Sequence, residues 1–126
     1  MRLLLILGIL CLSITSQSQN ELNFLKSLSK NNTSGIEKYL SKRISLCIDD
    51  VQTKENRQDA IRKIKNFISS KKIKNFKILH NGKSSDKSSS YRVARLKTSE
   101  GMYRIFAYSE RVRGKNKVIE IRIDKM

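Results

Sequence analysis

Hydrophobic residues in the first half of the chain recur at the spacing of an α-helix. Asn20–Leu28 places its leucines three residues apart, which predicts an amphipathic helix. Gly35–Ser41 predicts a second, shorter helix by the same periodicity. A third and longest helix is predicted from a cap at Thr53 to about Lys71. The apolar stripe of this longest helix consists of Ala60, Ile61, Ile64, Phe67 and Ile68.

Elsewhere the hydrophobic period is two, the repeat of a β-strand. The strands predicted from it are residues 43–49, 74–80, 91–97, 102–111 and 118–124. Met102–Arg111 is apolar on both faces, which predicts a central position in the sheet. Short connections favour antiparallel neighbours. The pattern therefore predicts an α+β fold with helices packed on a curved antiparallel sheet, in the order α-α-β-α-β-β-β-β.

The N-terminal segment has the layout of a secretory signal peptide. Met1-Arg2 supplies a short positive region and Leu3–Leu12 an apolar run, which is too short for a comfortable membrane span. Small residues at Ser16 and Ser18 predict cleavage after Ser18. We therefore expect residues 1–18 to be a signal peptide and residues 19–126 a single exported domain with no membrane span, located in the periplasm, in the cell envelope or outside the cell. The alternative is an uncleaved anchor.

The cysteine and histidine content further narrows the classes of protein to which the chain can belong. Cleavage would remove Cys11 and leave Cys47 as the one cysteine, which excludes disulfide-stapled secreted scaffolds. Cys47 is then either a buried small hydrophobe or a site of intermolecular pairing. One histidine and one cysteine without paired spacing do not make a metal site, and the chain has no glycine-rich phosphate loop. We therefore expect neither a metal nor a cofactor.

Several residues together resemble the DUF4783 family of small exported proteins from Bacteroidetes-type bacteria. They are Gln58-x-Ala60, Phe67, Phe76-x-Ile78-x-His80-x-Gly82, Tyr91, Leu96, Gly101-x-Tyr103-Arg104 and Ile119-x-Ile121-x-Ile123. The resemblance covers essentially the whole mature chain. It implies a fold like nuclear transport factor 2, in the cystatin-like group, where a sheet curls around helices into a cone with an internal pocket. It implies no activity.

A small set of residues could bind a ligand in such a pocket. His80 falls on the same predicted face as Phe76 and Ile78, and Asn81-Gly82 is predicted to end that strand. There His80 could act as a base near neutral pH, or it could simply close the core. Tyr91, Tyr103 and Arg104 could line a groove for an anionic or aromatic ligand, or pack across strands.

Adjacent carboxylates at Asp49-Asp50 do not make a natural catalytic pair. Neighbouring residues in a strand point to opposite faces, so the two side chains would not converge. A role in a turn or at the start of a helix is favoured for both.

Positive charge is the most pronounced feature of the composition. The chain has 27 Lys and Arg against 11 Asp and Glu, a formal net charge of +16. The candidate polyanion-binding residues are Lys71, Lys72, Lys74, Lys77, Arg92 and Arg95, and residues 71–97 contain a single acid, Asp86. Such a patch attracts acidic polysaccharide, anionic lipid or nucleic acid. The alternative is compositional, with lysine filling solvated faces as in proteins from AT-rich genomes.

The leading functional hypothesis is an exported, non-enzymatic module that binds a ligand or a protein partner at the cell envelope. One alternative is a secreted, basic, polyanion-binding protein, and the other is a small pocket enzyme that uses His80. A homodimer through the sheet face is neither demanded nor forbidden by the alternation of the strands.

Overall fold

The computed structural model describes residues 20–126, so the predicted signal peptide, its cleavage site and Cys11 lie outside the described residues. The elements are α1 (Asn20–Ser29), a 3-10 turn (Glu37–Tyr39), β1 (Leu40–Ile48), β2 (Val51–Asn56), α2 (Arg57–Ser69), β3 (Ile73–Lys83), β4 (Ser89–Thr98), β5 (Gly101–Val112) and β6 (Lys115–Lys125). Within this part of the chain, no helix combines the length and the apolar character that crossing a membrane requires.

The six strands form one mixed sheet in the spatial order β2-β1-β6-β5-β4-β3. All neighbouring strands are antiparallel except β1 and β6, which run parallel. The α+β class is thus confirmed. The prediction of a fully antiparallel sheet is wrong, because the last strand lies beside the first and runs parallel to it. β5 lies between β4 and β6, as its two apolar faces predict.

The predicted element order fails at two places before the long helix. Glu37–Tyr39 forms only a 3-10 turn, because Leu40 is already extended (φ −99°, ψ 146°) and begins β1. Thr53 lies in the strand β2 rather than at a helix cap. The cap is Asn56, whose side-chain oxygen accepts a 2.8 Å hydrogen bond from the Asp59 N–H.

Asp49 and Asp50 form the turn between β1 and β2. Both are exposed and both have positive φ, 50° and 68°, as a two-residue hairpin turn requires. Of the two roles favoured for this pair, the turn is confirmed. The helix-start role is wrong, because β2 intervenes before α2.

Both helices pack on one face of the sheet, called here the inner face. The predicted stripe of α2 lies on it, with Ala60, Ile64 and Ile68 fully buried. Leu96 on β4 and Ile105 on β5 belong to the same hydrophobic core. The opposite face of strands β3–β6 is called the open face.

Two β-bulges change which side chains reach which face. On β6 the register shifts opposite Tyr108 and Ser109, so Val118 is buried where the alternation predicts Ile119. On β3 the register shifts between Ile78 and His80. β3 also continues through Asn81 and Gly82 to Lys83, so the prediction that this pair ends the strand is wrong.

Candidate functional site

Three rows of cross-strand neighbours form the middle of the open face. From β3 to β6 the first row is Lys77, Arg95, Arg104 and Asp124; the second is His80, Val93, Phe106 and Arg122; the third is Gly82, Tyr91, Tyr108 and Glu120. Cations dominate the first row, whereas aromatic and apolar side chains on β4 and β5 occupy the second and third rows, with Arg122 and Glu120 beside them on β6. The face can therefore offer both stacking surface and positive charge to a partner.

His80 is exposed on the open face, opposite Val93. The prediction that it shares a face with Phe76 and Ile78 is wrong, because the bulge at Leu79 reverses the alternation. Phe76 and Ile78 pair with Leu96 and Ala94 and face the core. His80 thus does not face the interior of the fold.

Tyr91 and Phe106 form the aromatic centre of the open face. Their rings are stacked, with centroids 5.9 Å apart and an interplanar angle of 30°. The Tyr91 ring also lies across Gly82, where a Cβ atom would come within 2.5 Å of its Cε2. Tyr91 remains 38% exposed, so the stack is accessible from solvent.

The four predicted ligand-binding residues divide between the two faces. His80, Tyr91 and Arg104 all belong to the open face. Tyr103 is buried on the inner face, where its ring meets Phe67 edge-on at 5.0 Å. The structure therefore brings three of the four to one surface, and Tyr103 contributes to the core instead.

A buried polar cluster joins α1 to the inner face. The Glu21 carboxylate accepts hydrogen bonds from the hydroxyls of Ser90, at 2.8 Å, and Ser109. Arg92 Nε lies 3.6 Å from Glu21 Oε1, within ion-pair range. Neither atom has a hydrogen-bond partner among the described residues. Charge attraction rather than a hydrogen bond therefore links Arg92 to Glu21.

The predicted polyanion-binding residues do not gather on one face. Arg92 is on the inner face, whereas Lys77 and Arg95 are neighbours on the open face. The Lys71 ammonium lies 3.8 Å from the Phe67 ring centroid and donates to the Phe67 carbonyl. Lys72 and Lys74 are exposed at the start of β3. The basic patch predicted within residues 71–97 is thus divided between the two faces, which weakens the polyanion hypothesis for these residues.

A second cationic feature, the basic pocket, has a volume of about 370 Å³. It lies between the start of β1, the start of α2 and the β5–β6 hairpin. Its lining is Ser41, Lys42, Arg57, Val112, Arg113, Lys115 and Lys117. Three separate segments build this pocket, so no single stretch of the sequence predicts it. The alternation Arg113-x-Lys115-x-Lys117 is the one signal that could have pointed to it.

Two side chains, those of Asp86 and Tyr108, make local hydrogen bonds that change their pKa values. Ser84 and Ser88 donate to Asp86, and these bonds lower the pKa of Asp86 from 3.8 to about 2. On the open face, the Tyr108 hydroxyl donates to Glu110 at 2.8 Å, and this bond raises the pKa of Tyr108. Tyr108 is therefore held as a neutral hydrogen-bond donor.

No group of three or more His, Cys, Asp or Glu side chains within residues 20–126 is arranged to hold a metal ion.

Comparison with known families gives one match over most of the chain. The family described as Domain of unknown function (DUF4783) matches residues 23–124. No curated protein matches the chain.

Similar folds occur among solved structures. A DUF4783 family protein from Bacteroides fragilis has 29% identity and a TM-score of 0.75, covering 90% of this chain and 100% of that chain. One from Bacteroides ovatus has 22% identity and a TM-score of 0.76, covering 90% and 96%. An NTF2-like protein of unknown function from Cytophaga hutchinsonii has 9% identity and a TM-score of 0.63, covering 90% and 93%. The last two likenesses concern the fold alone, and the last one supports an NTF2-like fold.

Proposed function

Since this chain belongs to the DUF4783 family, whose function is unknown, we propose from its own sequence and geometry that it is an exported, non-enzymatic binding module. In this proposal the module acts at the cell envelope and assembles through the open face of its sheet. The N-terminal signal pattern supports export. The observation that carries the proposal is the solvent-accessible Tyr91–Phe106 stack at the centre of the open face.

The pocket-enzyme alternative loses its central residue. It required His80 to face an enclosed site together with a carboxylate or a tyrosine. His80 is exposed instead, and the tyrosine on the inner face, Tyr103, packs on Phe67. An active site at the centre of the fold is therefore not supported by the residues that suggested it.

The occupant we propose for the open face is a second copy of the chain. In a two-fold dimer each copy uses the same patch, so the patch must be self-complementary. Suppose that the two-fold axis runs along the middle row, parallel to the sheet and across its strands. Val93 and Phe106 of one copy would then each face the same residue of the other copy. The axis would also set Arg95 and Arg104 of one copy against Tyr91 and Tyr108 of the other. Arginine over tyrosine is a favourable cation–π arrangement, so the part of the face on β4 and β5 can pair with itself. On β6 the same axis sets Arg122 against its own counterpart and Asp124 against Glu120, so like charges oppose the contact there.

Sedimentation of the processed protein over a range of concentrations tests this assembly. We expect a dimer that dissociates reversibly on dilution. Val93→Lys places a cation at the centre of the proposed contact and should leave a monomer with an unchanged circular dichroism spectrum. Val51→Lys is the matched control, because Val51 is 66% exposed at the β1–β2 hairpin, outside the open face. It should leave the dimer intact.

Two results would overturn the proposed assembly. One is a parent protein that stays monomeric at every concentration, which would assign the open face to a different partner. The other is a Val93→Lys variant that dimerises as strongly as the parent. Export is tested separately, by the mass of the protein recovered outside the cytoplasm, which we expect to begin at Gln19.

A further inference from the structure

The basic pocket carries an inference that does not depend on the open face. We propose that it binds a sugar phosphate or sugar sulfate, that is, a compact sugar body carrying a negatively charged tetrahedral ester group. Three features of the pocket support this ligand: the charges around it, the way in which they are held and the space that they line.

The lining of the pocket has an unbalanced charge. It includes five cationic side chains and no acidic one. Within residues 20–126, none of the five forms an ion pair. Like charges brought to one concave site repel each other, and a bound anion relieves that repulsion. The lining therefore favours an anionic ligand.

Three acids lie beside the pocket. Asp59, in the first turn of α2, pairs with Arg62 at 3.1 Å. Glu37 accepts a 3.0 Å hydrogen bond from the Gln58 side chain, and Glu110, the cross-strand neighbour of Lys117, accepts one of 2.8 Å from the Tyr108 hydroxyl. Among the described residues, none of these three carboxylates forms an ion pair with a cation of the lining.

Two of the cations each donate a hydrogen bond to a backbone carbonyl, which restricts their side chains. Arg57 Nε donates to the Ser41 carbonyl at 3.4 Å, and Lys117 Nζ donates to the Lys38 carbonyl at 2.7 Å. Arg57 is also the first residue of α2, where the helix dipole favours negative charge. Cations held in place lose less conformational entropy on binding, and the planar guanidinium suits the oxygens of a phosphate or sulfate.

The size of the pocket indicates an organic ester rather than a bare ion. Its volume of about 370 Å³ lies in the range of small-molecule sites. Val112 is 39% exposed at its wall and offers apolar surface to a sugar ring. Ser41 also lines the pocket, and its hydroxyl can exchange hydrogen bonds with sugar hydroxyls. A sugar unit carrying a charged ester uses all three features.

Calorimetric titration with glucose 6-phosphate, glucose 6-sulfate and glucose tests the proposal. We expect saturable binding of the two esters, one per chain, and none of glucose. Lys42→Glu combined with Lys115→Glu reverses two exposed charges of the pocket and should weaken binding by about tenfold or more. Lys54→Glu combined with Lys65→Glu, also both exposed, makes the same change in net charge elsewhere and should leave binding within about twofold of the parent.

The remaining binding experiments identify the source of the ester and define the results that would overturn the proposal. Dextran sulfate binding more tightly than glucose 6-sulfate would support an ester carried on a polymer, and weaker binding would support a free sugar ester. Equal losses in both double variants would overturn the proposal, because overall charge would then explain the binding. Inorganic phosphate binding as tightly as glucose 6-phosphate would also overturn the proposal. The same holds if the protein binds phosphatidylglycerol vesicles but neither ester. Val93→Lys should retain ester binding, which separates this site from the proposed dimer.

Discussion

The ring of Tyr91 occupies the space above β3 that a side chain at position 82 would need. A Cβ at Gly82 would meet Cε2 of this ring at 2.5 Å and its hydroxyl at 3.1 Å, closer than unbonded carbon atoms approach. The glycine is therefore required by contact, and its φ is not in the positive range. The same ring stacks on Phe106, so Gly82 indirectly sets the shape of the open face.

Gly82→Ala should move the Tyr91 ring off the sheet and break its stack on Phe106. We expect a loss of about 1 kcal/mol in the free energy of unfolding, the lower end of overpacking costs. Urea denaturation measures this loss. Weakened dimerisation in the same variant would link the glycine to the proposed contact.

Removing the ring should reverse the sign of that effect. In a Tyr91→Ala background the methyl group at position 82 meets open space, and replacing glycine restricts the unfolded chain. Gly82→Ala should then be neutral or stabilising by up to about 1 kcal/mol. Equal destabilisation in both backgrounds would show that the close contact with Tyr91 is not the cause.

At the level of elements, bulges and edge strands set the limit of what the sequence predicts. The spacing of apolar positions predicts β1, β3, β4, β5, β6 and the stripe of α2 because each buries apolar side chains at a regular spacing over most of its length. It misplaced His80 because one extra residue, Leu79, reverses the faces of a strand without changing its composition. It missed β2 because this edge strand buries none of its side chains, so no apolar alternation marks it.

The loop between β3 and β4 is organised around a single carboxylate. Asp86 accepts hydrogen bonds from Ser84 Oγ and Ser88 Oγ, both at 2.7 Å, and from the Ser88 N–H at 3.0 Å. Three donors favour the charged form, which is why the pKa of Asp86 falls to about 2. The serines of this stretch therefore have a structural role in closing the hairpin.

Acid should loosen this loop within a defined pH window. Because the folded pKa of Asp86 lies below its ordinary value of 3.8, its contribution to stability is full above that value and is lost as the pH falls towards 2. A carbon-13 titration of the carboxyl group should give a midpoint near 2. Ser84→Ala with Ser88→Ala should raise the pKa towards 3.8, and an unchanged midpoint would contradict this account.

For the whole molecule, the local hydrophobic pattern of the sequence does not predict the pairing of β1 with β6. These strands come from opposite ends of the described chain and run parallel, so their contact depends on how the entire sheet closes. The candidate sites depend on the same closure. The basic pocket needs Lys42 from β1, Arg57 from α2 and the β5–β6 hairpin together. Sequence analysis could find the charges but not their convergence.

The fold also depends on α1, which the buried polar cluster around Glu21 joins to the inner face of the sheet. Glu21 is only 1% exposed, and the Arg92 side chain beside it is 15% exposed. Glu21→Met keeps the volume but leaves the arginine charge buried without a counter-charge and removes the acceptor of Ser90 and Ser109. Breaking a buried ion pair on one side typically costs about 3 kcal/mol or more, and we expect a loss of that order in urea denaturation.

Substituting both partners should cost less than substituting one. In Glu21→Met with Arg92→Met no buried charge remains, and two apolar side chains of similar length fill the space between α1 and β4. The double variant should regain at least about 1 kcal/mol relative to Glu21→Met alone. If the two losses simply add, the 3.6 Å approach of Arg92 to Glu21 contributes nothing to stability. The serine hydrogen bonds and packing would then be what holds α1 on the sheet.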